Sequence, residues 1–110
     1  MPRVAHLIVE GGGPPADAWV REAERLGAAV ERIAAETWRA DLLYPRQQRS
    51  GPVAKATAGV LARRVIAWSE LPRPPRLRHD AAEAILIGLW GVGHVGWLNE
   101  PPATILASVR

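Results

Sequence analysis

Arg78-His79-Asp80-Ala81-Ala82-Glu83-Ala84-Ile85-Leu86-Ile87-Gly88-Leu89-Trp90 is the stretch on which the reading of this chain turns. Two carboxylates, Asp80 and Glu83, stand three residues apart at the head of an apolar run. The pattern predicts a helix over about 80–90 with both acids on one face. The same spacing is that of a capping box, with Asp80 at the N-cap and Glu83 at N3, and both charges suit the positive end of a helix. Spacing alone favours the cap. The roles are compatible, because a capping carboxylate keeps an oxygen to offer elsewhere. His79 is a candidate general acid or base beside them, or a surface residue of the helix start.

Working upstream, residues 3–10 alternate Val4, His6, Ile8, Glu10 against Ala5, Leu7, Val9, which predicts a strand ending in a third carboxylate. Gly11-Gly12-Gly13 breaks it, and Pro14-Pro15 suits the first turn of a helix over 16–26, with Trp19, Ala23 and Leu26 as its apolar stripe and Gly27 as its C-cap. Residues 28–34 fit a second strand or a continued helix, and Gly27 closing the helix first favours the strand; Thr37 to Leu43 is read as a short helix. Residues 44–51 form a polar loop. A long helix over 52–69 follows, with Val53, Val60, Leu61, Ile66 and Trp68 as core candidates. Residues 71–76 are a proline-stiffened, basic linker. The tail, 99–110, contains Pro101-Pro102 and an apolar stretch with no assigned conformation. The tryptophans are read as core, and His6 as packed within its strand. His94 falls in a glycine-rich loop.

At 110 residues, 48% of them hydrophobic, the chain is long enough for a single domain with one modest core. It has no cysteine, which excludes disulfides and thiolate metal sites. Nothing resembles a signal peptide. The longest uncharged run, Ala84 to Asn99, holds His94 and four glycines and does not suit a membrane span. A cytoplasmic protein without a membrane partner is expected. The net charge of +3 is unevenly spread: residues 46–78 carry eight basic groups against Glu70 alone, while each flank is net −2. Such a block can follow a phosphate backbone, or simply be a solvated arginine-rich surface.

Carboxylates at the end of a strand and on one helix face can hold hard cations. Two such ions about 4 Å apart are the usual means of in-line phosphodiester hydrolysis. Gly11-Gly12-Gly13 lacks the spacing of a phosphate-binding or dinucleotide fingerprint, and Pro14-Pro15 remove amides a phosphate would need. No organic cofactor is indicated.

In order and motif the chain resembles the RuvC-like Holliday junction resolvases of the ribonuclease H-like superfamily over about residues 3–92. A hydrophobic strand ends in Glu10. A helix, a strand and Thr37-Trp38-Arg39 follow, then a basic loop and a helix carrying Lys55. The last helix opens His79-Asp80-Ala81-Ala82-Glu83-Ala84, close to the family's closing Asp-Ala-Ala-Asp-Ala motif. The resemblance implies an α/β fold, a partial ribonuclease H-like domain with two or three strands and at least three helices. It implies Glu10, Asp80 and Glu83 as Mg2+ or Mn2+ ligands, with His79 beside them. It implies a DNA-facing surface around Arg46, Arg49, Lys55 and Arg63, a four-way junction as substrate, and a homodimer cutting opposed strands. One departure stands out. The family opens with strands whose aspartate is a further ligand, and none precedes Val4; Asp17 and Asp41 lie in predicted helices. Truncation, degeneration or completion of the sheet by another chain would each account for it. The expected activity is metal-dependent, structure-specific DNA endonuclease. The alternative is a catalytically degenerate nucleic-acid-binding or assembly module of the same fold.

Overall fold

Glycine and proline punctuate the chain where its elements begin and end. The computed structural model describes residues 4–99, and the tail from residue 100 onward lies outside them. Strand β1 (His6–Glu10) is followed by helix α1 (Pro14–Arg25), strand β2 (Ala29–Ile33), helix α2 (Ala35–Leu42), a 3-10 turn (Pro45–Gln48), helix α3 (Gly51–Trp68) and helix α4 (His79–His94). The architecture is mixed α/β, with two parallel strands and four α-helices among the described residues. Among those residues no helix is long and apolar enough to cross a membrane. The chain divides into two compact units, Met1–Trp38 and Arg39–Arg110.

In the first unit β1 and β2 run parallel, in register from His6 opposite Ala29 to Glu10 opposite Ile33. Parallel neighbours need a crossover, and α1 supplies it, packing on both strands. Gly13 caps α1 at a φ of 93°, in the left-handed region where a side chain is strained, and the following prolines fill the first turn, where no amide partner is lost. The buried face of α1 is Ala16, Val20 and Ala23. The expected stripe was therefore out of phase: Ala23 is buried, but Trp19 and Leu26 are exposed. A small-residue face lets the helix approach the sheet closely, and the bulkier Trp19 is left outside. His6, at the start of β1, is likewise exposed rather than packed.

In the second unit α3 and α4 pack together, and the 3-10 turn packs on α3. Ser50 caps α3, its hydroxyl accepting from the Val53 amide at 3.3 Å. Thr57, Ala58, Leu61 and Ala62 form its buried face. Of the core candidates only Leu61 is fully buried; Val60 and Trp68 are exposed and Val53 and Ile66 half-buried. Ala82, Leu86, Leu89, Trp90 and Gly91 are buried on α4. The expected end of this helix at Trp90 was too early, and His94 lies in its last turn, not a loop. Trp90 stacks on His94 one turn later, ring centroids 4.5 Å apart, which helps to offset the cost of the interposed glycines. The residues expected as a polar loop, 44–51, contain the 3-10 turn, held by the Tyr44 amide donating to Gln47 Oε1 at 2.8 Å.

Three helices stop in the same way. After α1, α3 and α4, the residue past the C-cap takes a positive φ, and two amides reach back to carbonyls of the last turn. Gly27 and Gly96 fill that position after α1 and α4, but after α3 it is Glu70, at φ 58°. Here the Glu70 amide bonds Ala67 O at 3.0 Å and the Leu71 amide bonds Ile66 O at 3.2 Å. A side chain there is strained, so Glu70→Gly should stabilise the protein by about 0.5–1 kcal/mol after the flexibility cost of glycine. A rise in the urea midpoint checks it; a fall would show that the Glu70 side chain contributes more than its strain costs.

Candidate metal and nucleic-acid site

Helix α4 does not begin with the expected capping box. Its N-cap is Arg78, with no side-chain cap bond, which puts Asp80 at the second helical position and Glu83 beyond the first turn. The two carboxylates then have unlike surroundings. Asp80 is 78% exposed, with its Oδ1 3.0 Å from the Ala81 amide and 3.6 Å from Arg78 Nε. Glu83 is only 15% exposed, and both of its oxygens are engaged. Arg39 Nη2 donates to Oε2 at 2.5 Å, and His79 Nε2 lies 2.9 Å from Oε1, one turn away on the same helix. The other imidazole nitrogen, His79 Nδ1, is buried without a hydrogen-bond partner. A part-buried carboxylate is costly unless paired, and the two nitrogens from α2 and α4 supply that pairing.

In the first unit Glu10 closes β1, as its position in the sequence implied. Its Oε1 accepts from Trp38 Nε1 at 2.8 Å, and the Trp38 ring is completely buried. The second unit repeats this pairing: Trp90 Nε1 donates to Asp41 Oδ2 at 2.6 Å. The two tryptophans read correctly as core are therefore the two that hold a carboxylate. Trp19, Trp68 and Trp97, expected in the core, are exposed. Asp17, on α1, pairs with Arg32 at 2.7 Å.

Among the described residues neither unit by itself gathers three His, Asp or Glu side chains in a metal-binding group. The acids near the head of α4 are an exposed carboxylate, Asp80, and a part-buried one, Glu83, whose two oxygens have protein partners; carboxylate oxygens are the donors that hard cations take.

The residues expected to face nucleic acid all lie in the second unit. Arg46, on the 3-10 turn, is exposed and sits over the Tyr44 ring at 5.0 Å. Arg49 and Lys55 are exposed around the start of α3. Arg63 is half-buried and donates to Pro74 O at 3.2 Å, which ties the basic linker to α3. Beside that bond is a cleft of about 430 Å³, with Val60, Ala67 and Leu71 as apolar walls and Arg63, Arg64 and Arg73 among its lining.

Sequence reasoning did not single out Arg39 as a site residue. It lies in an acidic segment, outside the basic block, and the available signal was its place in Thr37-Trp38-Arg39. The consecutive side chains Trp38 and Arg39 each take a different carboxylate, Glu10 and Glu83. Compared with family models, curated proteins and solved structures, the chain matches none significantly.

Proposed function

We infer that this chain is a metal-dependent, structure-specific DNA endonuclease domain of ribonuclease H-like ancestry, acting on branched DNA such as four-way junctions as a homodimer. The observation that carries the reading is the unlike pair of acids on α4. A cap would explain acids in the first turn, but Glu83 lies beyond it and is part-buried among nitrogens, next to the open Asp80. Glu83 is held in place by Arg39 and His79, and Asp80 beside it is open to a cation. Asp80 and Glu83 would hold Mg2+ or Mn2+; Glu10 as a further ligand is what the resolvase resemblance implies. When bound, such an ion supplies an acidified water and charge opposite the leaving oxygen. His79 stands within reach of Glu83 as a proton carrier, and Trp38 fixes the rotamer of Glu10.

The test is incubation of the protein with a labelled four-way junction, with and without Mg2+ or Mn2+, beside linear duplex. Paired nicks near the crossover, dependent on metal, are the expected result. Junction binding without cleavage would favour the second reading, a binding module of the same fold that has lost its metal centre. That reading has its own support, since protein donors already engage Glu10 and both oxygens of Glu83. Absence of binding at low salt would defeat both.

Binding should depend steeply on salt. Exchanging Arg46, Arg49 or Lys55 for alanine should weaken junction affinity and flatten the slope of log K against log salt by about 0.9 for each phosphate left without its cation. Fluorescence anisotropy across a salt series measures this, and unchanged slopes would remove these residues from the interface.

A further inference from the structure

We propose that the cleft beside the end of α3 docks a short acidic segment of another protein. One aliphatic side chain of that segment sits between Val60, Ala67 and Leu71, and its flanking carboxylates face Arg63 and Arg73. The inference does not depend on the nuclease reading, and it gives a role to apolar surface which that reading leaves unused.

Helix α3 is apolar on two sides. One side, Thr57, Ala58, Leu61 and Ala62, is buried. The other carries Val60, Arg64 and Ala67 at helical spacing, and Leu71 follows just past the helix end. Val60 is 43% exposed and Leu71 61%. Apolar residues scattered singly over a surface mean little, but these line one concave site of about 430 Å³, a size at which clefts seat a ligand group. The protein holds this cleft in shape by itself. Arg63 Nη1 donates to Pro74 O at 3.2 Å, and the Leu71 amide donates to Ile66 O at 3.2 Å. Pro72, Pro74 and Pro75 restrict the backbone between and beyond these bonds. A site ordered before binding lowers the entropy cost of filling it.

Charge selects the occupant. Arg63, Arg64 and Arg73 belong to the lining, whereas Glu70, the one acid of residues 46–78, does not. Pro74 O is a neutral acceptor, so its bond places the Arg63 guanidinium without cancelling the charge. An anionic partner is therefore favoured. A second copy of this chain is not, because two-fold pairing through this face would set arginine against arginine. Nucleic acid matches the charge but not the walls, which are aliphatic and offer no aromatic ring on which a base could stack. A peptide with carboxylates on either side of a leucine or isoleucine matches both.

The test is fluorescence anisotropy of the full-length chain with a labelled peptide, a leucine pair between runs of aspartate, at physiological salt. The wild-type chain should bind it. Leu71→Ser and Val60→Ser, which each remove one apolar wall, should weaken binding roughly tenfold. Arg73→Glu should weaken it at least as much by reversing a charge. All three positions are exposed, so thermal melts should stay near wild type, and any one variant that fails to fold leaves the other two to decide. Failure of the wild-type chain to bind the peptide would overturn the proposal. Equal binding of a peptide with serines in place of the leucines would also overturn it, reducing the effect to charge attraction. So would a labelled single strand, or vesicles of phosphatidylserine, whose binding drops with Leu71→Ser and Val60→Ser while that of the peptide does not. A wild-type dimer in sedimentation that Leu71→Ser splits would assign the cleft to a second copy instead.

Discussion

Asp80→Asn and Glu10→Gln are each expected to reduce metal-dependent cleavage of a four-way junction on the order of 10²–10³-fold, with little change in stability. Both exchanges preserve shape and remove charge. Asp80 is largely exposed and its partner Arg78 equally so, and surface pairs of this kind contribute little to folding. Glu10→Gln keeps an oxygen to accept from the Trp38 indole, so the contact that orients the side chain survives. Thermal melts near wild type together with abolished cleavage would place the effect in chemistry. Activity within about threefold of wild type for both would end the metal-ligand assignment, since removing a charged ligand from a cation site does not leave such rates standing.

The second large effect is on the fold. Trp38→Ala should cost about 3–5 kcal/mol, the range for deleting a fully buried aromatic side chain. For a domain whose total stability is about 5–15 kcal/mol, this leaves little margin. Trp38→Phe should cost less, about 1–3 kcal/mol, because the ring bulk is largely kept and the main loss is the donor to part-buried Glu10. Urea unfolding of the three proteins ranks them directly. A cost for Trp38→Ala below about 1 kcal/mol would show that the indole is not part of the folded core.

The elements of the chain were legible where local chemistry is strong. The alternation ending at Glu10, the glycine triplet, the paired prolines and Gly27 mark β1, α1 and the start of β2 closely. What escaped was the phase of the buried faces. On α1 and α3 the packed face is built largely of alanine, with Val20 on α1 and Thr57 and Leu61 on α3, while bulky Trp19, Val60 and Trp68 lie outside. A hydrophobic pattern weights large residues as core, and so it points to the wrong side of helices that sit close to their neighbours. The extension of α4 beyond Trp90 was illegible for a related reason. Three glycines within the helix, Gly88, Gly91 and Gly93, argue against it by propensity, and the stacking of Trp90 on His94 is invisible until the turn has formed. Of the candidate residues, the elements that carry Glu10, Asp80 and Glu83 could be read. The partners could not: Arg39 reaches Glu83 across 44 residues and Trp38 reaches Glu10 across 28, and no local spacing encodes either pairing.

The alanines buried in α3 and α4 carry a consequence for how the acids of α4 can vary. Ala58, Ala62 and Ala82 leave no slack to be taken up by a different rotamer, and the next larger side chain would force the backbone to move. Their narrow fit therefore indexes α4, fixing which compass bearing each of its residues occupies. One residue corresponds to about 100° of rotation in an α-helix. A single insertion between Glu83 and Leu86 would keep the helix but carry His79, Asp80 and Glu83 together to a new bearing, away from Arg39, and turn the buried Ala82 out of the core with them. Over evolutionary time this helix can exchange many of its side chains but cannot change its length between those two points, so the chemistry of its first two turns is inherited as a block or lost as one.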